Sequence, residues 1–402
     1  MKKNKFTILI PTRDRADVLR WSIQTCLNQD YDNYEIVVSD NFSQDNTRET
    51  VSSFNDTRIR YVNTGKRVSM SHNWEFGISQ VTDGYVTILG DDDGMLPHAL
   101  RDINEILNQH PLDAICWHQS GYFWPNNPFH KHEMFILMRR GVTIRDGLEN
   151  FQKVIQFKEH YSSNPWLYSG FINIDLINKI KNISGGSFFH SMIPDVYSGL
   201  AIASQVEKYI YATGPFSIAA ISSHSNGAAQ FSSNKDLQKN FNTFLTEAPP
   251  LPYHPQLEFI ASSFEIIVAE CALQVYDHHL ITDKKYLPDL PFVLATAAQR
   301  ASYKDESMFQ KEIDSITKIA EKNNIPIASK LQERKTASSF SVKKSNLRRY
   351  VRKRLQGVFI DGDKHQLKNV YDASLLHDKI YNSQSKAIFN IIKKVSDKMN
   401  GL

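Results

Sequence analysis

Three adjacent aspartates, Asp91, Asp92 and Asp93, close the apolar run 85–89 and are framed by Gly90 and Gly94. Carboxylates packed side by side repel and lose hydration, so a cluster of this kind at a strand end calls for a cation to offset it. Ligands that are all oxygen select magnesium or manganese over zinc. The competing reading is a solvated acidic turn. Two further polar groups also follow apolar runs: Pro11 to Arg15 after residues 6–10, and Asp40 after residues 34–39.

The elements that must position these groups are legible from periodicity. Residues 6–10 and 34–39 read as strands buried on both faces, and Leu19, Ile23 and Leu27 recur every fourth residue on a helix over 16–28. Strand, helix and strand in that span form a βαβ unit with parallel strands and a right-handed crossover. The alternation continues with strands at 58–62, 85–89 and 114–118 and helices at 71–79 and 97–108. The predicted fold class is α/β, a helix-covered sheet whose strand ends carry the three polar clusters on one rim, where such sheets bind ligands. From 121 to 165 the regular alternation fails, with Trp124, Pro125, Asn126, Asn127 and Pro128 forming an irregular segment. Further on, 168–174 reads as a strand, 195–204 as a helix behind Pro194, and 257–276 and 311–322 as helices. The change of texture divides the chain into residues 1–235 and a mostly helical region, 236–402.

Composition excludes several classes. At 402 residues, 41% hydrophobic and 22% charged, the chain is a globular protein of two-domain size, and a net charge of +4 does not point to nucleic acid as partner. Lys2, Lys3 and Lys5 precede too short an apolar stretch for a signal peptide, and no apolar run reads as a membrane span, so a cytoplasmic location is expected. Cys26, Cys116 and Cys271 have no paired spacing and read as core residues. Between Arg334 and Arg354 lie nine basic residues and no acidic one. A basic helix with Leu347, Val351, Leu355 and Val358 on one face suits either peripheral contact with the inner face of an anionic membrane or a solvated surface.

The stretch 8–47, ILIPTRDRADVLRWSIQTCLNQDYDNYEIVVSDNFSQDNT, resembles the opening of the inverting GT-A glycosyltransferases of family 2, a likeness that extends over roughly the first 230 residues. The resemblance implies a GT-A, Rossmann-like sheet that binds a nucleoside-diphosphate sugar donor, with Mn2+ or Mg2+ as cofactor and a glycan or lipid-linked glycan as acceptor. Pro11, Thr12 and Arg13 match the family's first nucleotide-binding turn, Arg15 is a nearby phosphate partner, and Asp40 matches the base or ribose contact. Thr12 or Asp14 capping the next helix, and Asp40 with Asn41 as a turn pair, are the local alternatives. Asn73, in VSMSHNWEFG, matches the segment ahead of the metal motif, with Ser71 as a competing helix cap.

The acidic cluster corresponds to the family's DxD motif with one departure, Gly90 where an aspartate is common. Alignment puts Asp92 in the metal-ligating place, followed by Asp93, with Asp91 third and on the nucleotide side. Asp195, at a helix start about a hundred residues on, matches the catalytic base, and an ordinary first-turn carboxylate is the alternative. His224 matches a late histidine that completes the metal site. Trp124, Trp166 and Tyr168 are candidate stacking platforms for an acceptor sugar. Two other classes compete: a nucleotidyltransferase acting on sugar phosphates, against which the glycine-free turn 11–15 counts, and a non-catalytic nucleotide-sugar-binding module.

Overall fold

The computed structural model describes residues 2–127, 130–223, 251–260, 263–326 and 356–383. His224, the basic segment 334–354 and the expected boundary near 235 lie outside these residues.

The N-terminal alternation folds as the periodicity predicts. Strands β1 (Phe6–Thr12), β2 (Tyr34–Asp40), β3 (Ile59–Asn63) and β4 (Tyr85–Ile88) are parallel neighbours in the order β3-β2-β1-β4. Alternate side chains supply the two cores. Leu9 and Val37 pack on the side of α3 (Met70–Ile78), whereas Ile8, Ile10, Ile36 and Val38 pack with Leu19 and Ile23 of α1 (Ala16–Leu27) and Ile103 of α4 (Ala99–Gln109). Burial on both faces is why these strands read as continuous apolar runs. The three cysteines are buried and free.

Beyond β4 the sheet ceases to be purely parallel. Strand β10 (Gly170–Asn173) inserts antiparallel between β4 and β6 (Ala114–Trp117), followed by β11 (Lys208–Ala212) parallel to β6 and β9 (Val142–Asp146) antiparallel at the edge. Residues 167–169 form a single 3-10 turn, so the strand expected over 168–174 is shorter, and α6 (Ile174–Ile183) begins where it ends.

The stretch 121–165, where the alternation fails, carries regular elements on either side of the turn at Pro125 and Asn126. This stretch supplies β7 (Ser120–Phe123), β8 (Glu133–Leu137), β9 and helix α5 (Gly147–Ile155). Strands of four or five residues broken by Pro125 and Gly141 are too short for a period to emerge, and their partners lie far away in the chain. With β5 (Gly94–Met95), β12 (Ser217–Ile221) and β13 (Gly357–Asp361), they form a second sheet in the order β13-β8-β7-β12-β5.

Helix α7 (Pro194–Gln205) packs against α8 (Phe264–Asp277), which is buried on every side because it joins the main core to a layer built with α9 (Leu290–Ala301) and α10 (Glu306–Lys322). Helix α8 begins later than the expected residue 257; Ser263 precedes it. The last described elements, β13 and α11 (Val370–Ser383), return to the second sheet and to α1.

Candidate functional site

Parallel pairing with Thr12 opposite Asp40 and Leu9 opposite Ile88 aligns the carboxyl ends of β1, β2 and β4. The turn 11–15 and the acidic loop therefore meet. Thr12 Oγ1 donates to Asp91 Oδ2 at 2.9 Å, and Arg15 Nη1 donates to Asp91 Oδ1 at 2.9 Å. Thr12 therefore does not cap α1; the residue at that cap is Arg15, with no side-chain hydrogen bond to the helix. Asp14 adopts a left-handed φ of 53° and accepts from the Gln44 N–H and from Arg67, which fastens the loops after β1, β2 and β3 together.

The three aspartates have separate surroundings. Burial pushes the Asp91 carboxyl upward against the pull of Arg15. Asp92 Oδ2 accepts from the Ser222 hydroxyl at 2.7 Å and its N–H at 3.2 Å, while the Asp92 carbonyl accepts from the Trp124 indole at 3.1 Å. Trp124 is therefore a buried strut behind the loop rather than an open sugar platform. Asp93 turns the other way. Its Oδ1 accepts from the Ala220 N–H at 2.6 Å and its Oδ2 from the Tyr168 hydroxyl at 2.5 Å. Burial, followed by the neighbouring Asp92 charge, pushes the Asp93 carboxyl up to about 8.

Gly90 belongs to this arrangement. A Cβ there would lie 2.5 Å from the Tyr168 hydroxyl and 2.6 Å from Asp93 Oδ2. The residue that departs from the motif is thus the space in which the Tyr168 to Asp93 hydrogen bond forms. Tyr168 stacks on Trp74 with centroids 6.2 Å apart and 6° between planes, and leans on Trp166 at 5.6 Å.

Asp40 is buried and its carboxylate is fully engaged. Ser43 donates from N and Oγ to one oxygen, at 2.9 and 2.5 Å, and Tyr61 and Asn63 donate to the other, at 2.5 and 2.9 Å. The Ser43 N–H contact is the turn predicted as the local alternative for Asp40. Asn73 is likewise engaged: its Oδ1 accepts from Ser39 Oγ at 2.8 Å and its Nδ2 donates to the Ser39 carbonyl. Helix α3 is capped by Ser69, and Ser71 instead donates to the Ser191 carbonyl, which corrects the alternative that made Ser71 the cap.

Asp195 occupies the second position of α7, behind Pro194 and partly exposed. Burial pushes its carboxyl upward, and the N–H groups of the helix start only partly offset this. Its charge acts on Tyr161 and on Tyr168, the residue that binds Asp93. The 3-10 turns at 161–163 and 167–169 pack on α7, and the Leu167 N–H donates to Ser198 Oγ across that seam at 3.2 Å. Tyr168 thus touches Asp93 directly and lies within electrostatic reach of Asp195. No local pattern marks Tyr168, Ala220 or Ser222 as partners of the acidic loop, because those contacts span 75, 127 and 130 residues.

Among the described residues no three side chains of the His, Cys, Asp or Glu type converge as a ready metal cage. This donor set fits a cation held by one or two carboxylates together with substrate phosphates, the way magnesium is commonly bound. Asp92 and, beside it, Asp91 are the residues placed to hold one.

Among the described residues the architecture is an α/β fold followed by a mostly helical C-terminal part. The family model described as "Glycosyl transferase family 2" matches residues 7–167. Over 108 residues, 26% of the chain, it is 33% identical to a GalNAc(5)-diNAcBac-PP-undecaprenol beta-1,3-glucosyltransferase of Campylobacter jejuni, and the match covers 35% of that protein. Over 118 residues, 29% of the chain, it is 23% identical to the Streptococcus pneumoniae glycosyltransferase GlyG, covering 39% of it. The chain thus spans little more than a third of these relatives. Similar solved structures include S. aureus TarS 1-349 in complex with UDP-GlcNAc (TM-score 0.45, 13% identity, 81% of this chain and 93% of that one). The mannosyltransferase PcManGT of Pyrobaculum calidifontis in complex with GDP-Man and Mn2+ is another (TM-score 0.41, 16% identity, 81% and 88%).

Proposed function

We propose that the protein is an inverting, metal-dependent glycosyltransferase that moves a sugar from a nucleoside-diphosphate sugar to an acceptor hydroxyl. The observation that carries this reading is the acidic loop at the carboxyl ends of β1 and β4, where Thr12 and Arg15 hold Asp91, Tyr168 holds Asp93, and the charge of Asp195 reaches Tyr168. Pro11, Thr12, Arg13 and Asp40 border the nucleotide side of that rim. Arg15 supplies positive charge next to the donor's phosphates. Asp92 would hold manganese or magnesium, whose charge offsets that which builds on the departing diphosphate.

Asp195 accepts the proton of the attacking hydroxyl, and its partial burial raises its basicity for that step. The acceptor oxygen forms a bond to the anomeric carbon from the face opposite the donor phosphate. The bond from that carbon to the phosphate oxygen breaks, and nucleoside diphosphate leaves with inverted configuration at the sugar.

The acceptor we infer is a glycan or lipid-linked glycan, supported by the similarity to the C. jejuni glucosyltransferase, whose name carries an undecaprenol-linked glycan. No described helix is long and apolar enough to cross a membrane. Peripheral contact through the basic segment 334–354 agrees with that acceptor, and vesicles of anionic lipid should bind the protein at low salt and release it as salt rises. The decisive experiment is a screen of UDP-, GDP- and dTDP-sugars with manganese or magnesium, following nucleoside diphosphate release. Silence with every donor, or full activity in excess chelator, overturns the reading.

A further inference from the structure

Beyond the turn in which the Asp93 N–H donates to the Gly90 carbonyl at 3.1 Å, the acidic loop is held from outside. Its three carboxylates lie between two glycines, and two of them are held by β12: Ala220 donates to Asp93 and Ser222, just past the strand, donates to Asp92. Strand β5, which leaves the loop, is also held by β12, with Ser217 opposite Met95 and Ile218 opposite Gly94. What holds β5 and β12 against each other therefore decides where Asp92 points.

The C-terminal segment provides that support. Helix α11 lays Val370, Ala373, Ser374, His377 and Tyr381, a stripe at three- and four-residue spacing, into the second sheet, and all five are buried. Its first turn touches the loop exit. A Cβ on Gly94 would come within 2.8 Å of Val370 Cγ2 and 3.2 Å of Thr25 Cγ2, so β5 is wedged between α11 and α1 with room for glycine alone.

Polar contacts fix the register of the rest of the helix. His377 Nε2 pairs with Ser120 Oγ at 2.9 Å, and that oxygen also accepts from the Leu137 N–H, tying the helix to β7 and β8. His98, four residues past Gly94, meets Asp378 at 2.8 Å and stacks on Tyr381 at 5.5 Å with 6° between planes. Upstream of the helix, β13 pairs with β8 along its full length.

We propose that residues 357–383 form a strap that positions the acidic loop, with Val370 and Gly94 as the contact through which it acts. In this arrangement the strap touches neither donor nor acceptor. It sets the distance between β5 and β12, and through Ala220 and Ser222 the orientation of Asp93 and Asp92. The inference rests on the acidic loop being the donor site, and its test does not depend on turnover.

The test is a size exchange across the contact, read by amide hydrogen exchange in the full-length protein. Gly94→Ala should speed exchange in the peptide 217–223 by about tenfold or more, and adding Val370→Ala should return it to within about threefold of wild type. Peptides from β1 and β2 should change in none of the variants. With an active donor, Gly94→Ala should lower kcat and metal affinity together, and the double variant should recover both. If Gly94→Ala fails to fold, Val370→Ala alone serves, with exchange at 217–223 increased and β1 and β2 unaffected. The strap is overturned if the single variants leave 217–223 at the wild-type rate, if all peptides speed up alike, or if the second substitution restores nothing. A wild-type protein inert to every donor would sink the proposed function while leaving the exchange result to stand or fall separately.

Discussion

The acidic loop and the start of α7 present carboxylates in opposite ways. At the loop, Asp91, Asp92 and Asp93 each accept from partners on distant segments, so their oxygens are oriented before any ligand arrives. At α7, Asp195 rests on its own helix start, and its raised proton affinity comes from burial. Fixed oxygens suit holding a charged group still, because electrostatic stabilisation depends on preorganisation. A partly exposed carboxylate with raised basicity suits taking a proton from a substrate that comes and goes. The difference suits the first region to binding and the second to proton transfer, although both present the same type of side chain.

The comparison breaks most sharply at Asp92. Asp92→Asn should reduce transfer to background, roughly 10⁴-fold or more, with the Trp124 and Ser222 contacts and the melting temperature retained. Turnover close to wild type in the purified variant would remove Asp92 from the metal site.

Asp195→Asn keeps size and hydrogen-bonding capacity while removing the proton acceptor, so kcat should fall by about 10²–10⁴-fold with donor KM unchanged. The same group sets the pH profile. A base must be deprotonated to act, and burial places this one above its ordinary 3.8, so kcat should decline on the acid side from a point above that value. Asp195→Asn should flatten that limb. A limb that survives the substitution assigns it to another group.

Asp93 sharpens the contrast within the loop. Its two oxygens face Ala220 and Tyr168, and an asparagine can accept from the first and donate to the second, so Asp93→Asn should cost only about tenfold in kcat/KM, far less than Asp92→Asn. Equal losses at the two positions would make Asp93 a metal ligand as well.

The smallest effect belongs to Tyr168→Phe, which keeps the stack on Trp74 but leaves an oxygen of Asp93 without its donor. A stability loss of about 1–3 kcal/mol, read as a lower Tm, should come with a modest change in kcat. No change in Tm would mean that the hydrogen bond contributes nothing net.

How much was legible in the sequence follows from the range of the interactions involved. Runs such as 6–10 and 34–39, and the four-residue spacing of Leu19, Ile23 and Leu27, are local, and they determined β1, α1 and β2, hence the rim on which Pro11 to Arg15, Asp40 and Asp91 to Asp93 lie. The motif residues and Asp195 stood out as candidates by side-chain type, order and family resemblance. Strands β7, β8 and β9 were not, since four or five residues define no period and their stability comes from partners such as β12 and β13.

Only the tertiary structure decided which aspartate faces which donor. Adjacent identical side chains on one loop are equivalent in sequence, and they become different when Ser222, Ala220, Arg15 and Tyr168 approach from separate directions. The same holds for the place of Gly90 and Gly94. The sequence shows two glycines around an acidic cluster, and packing shows that one leaves room for a tyrosine hydroxyl and the other for a valine 276 residues away, a contact no local pattern encodes because it is made by shape alone.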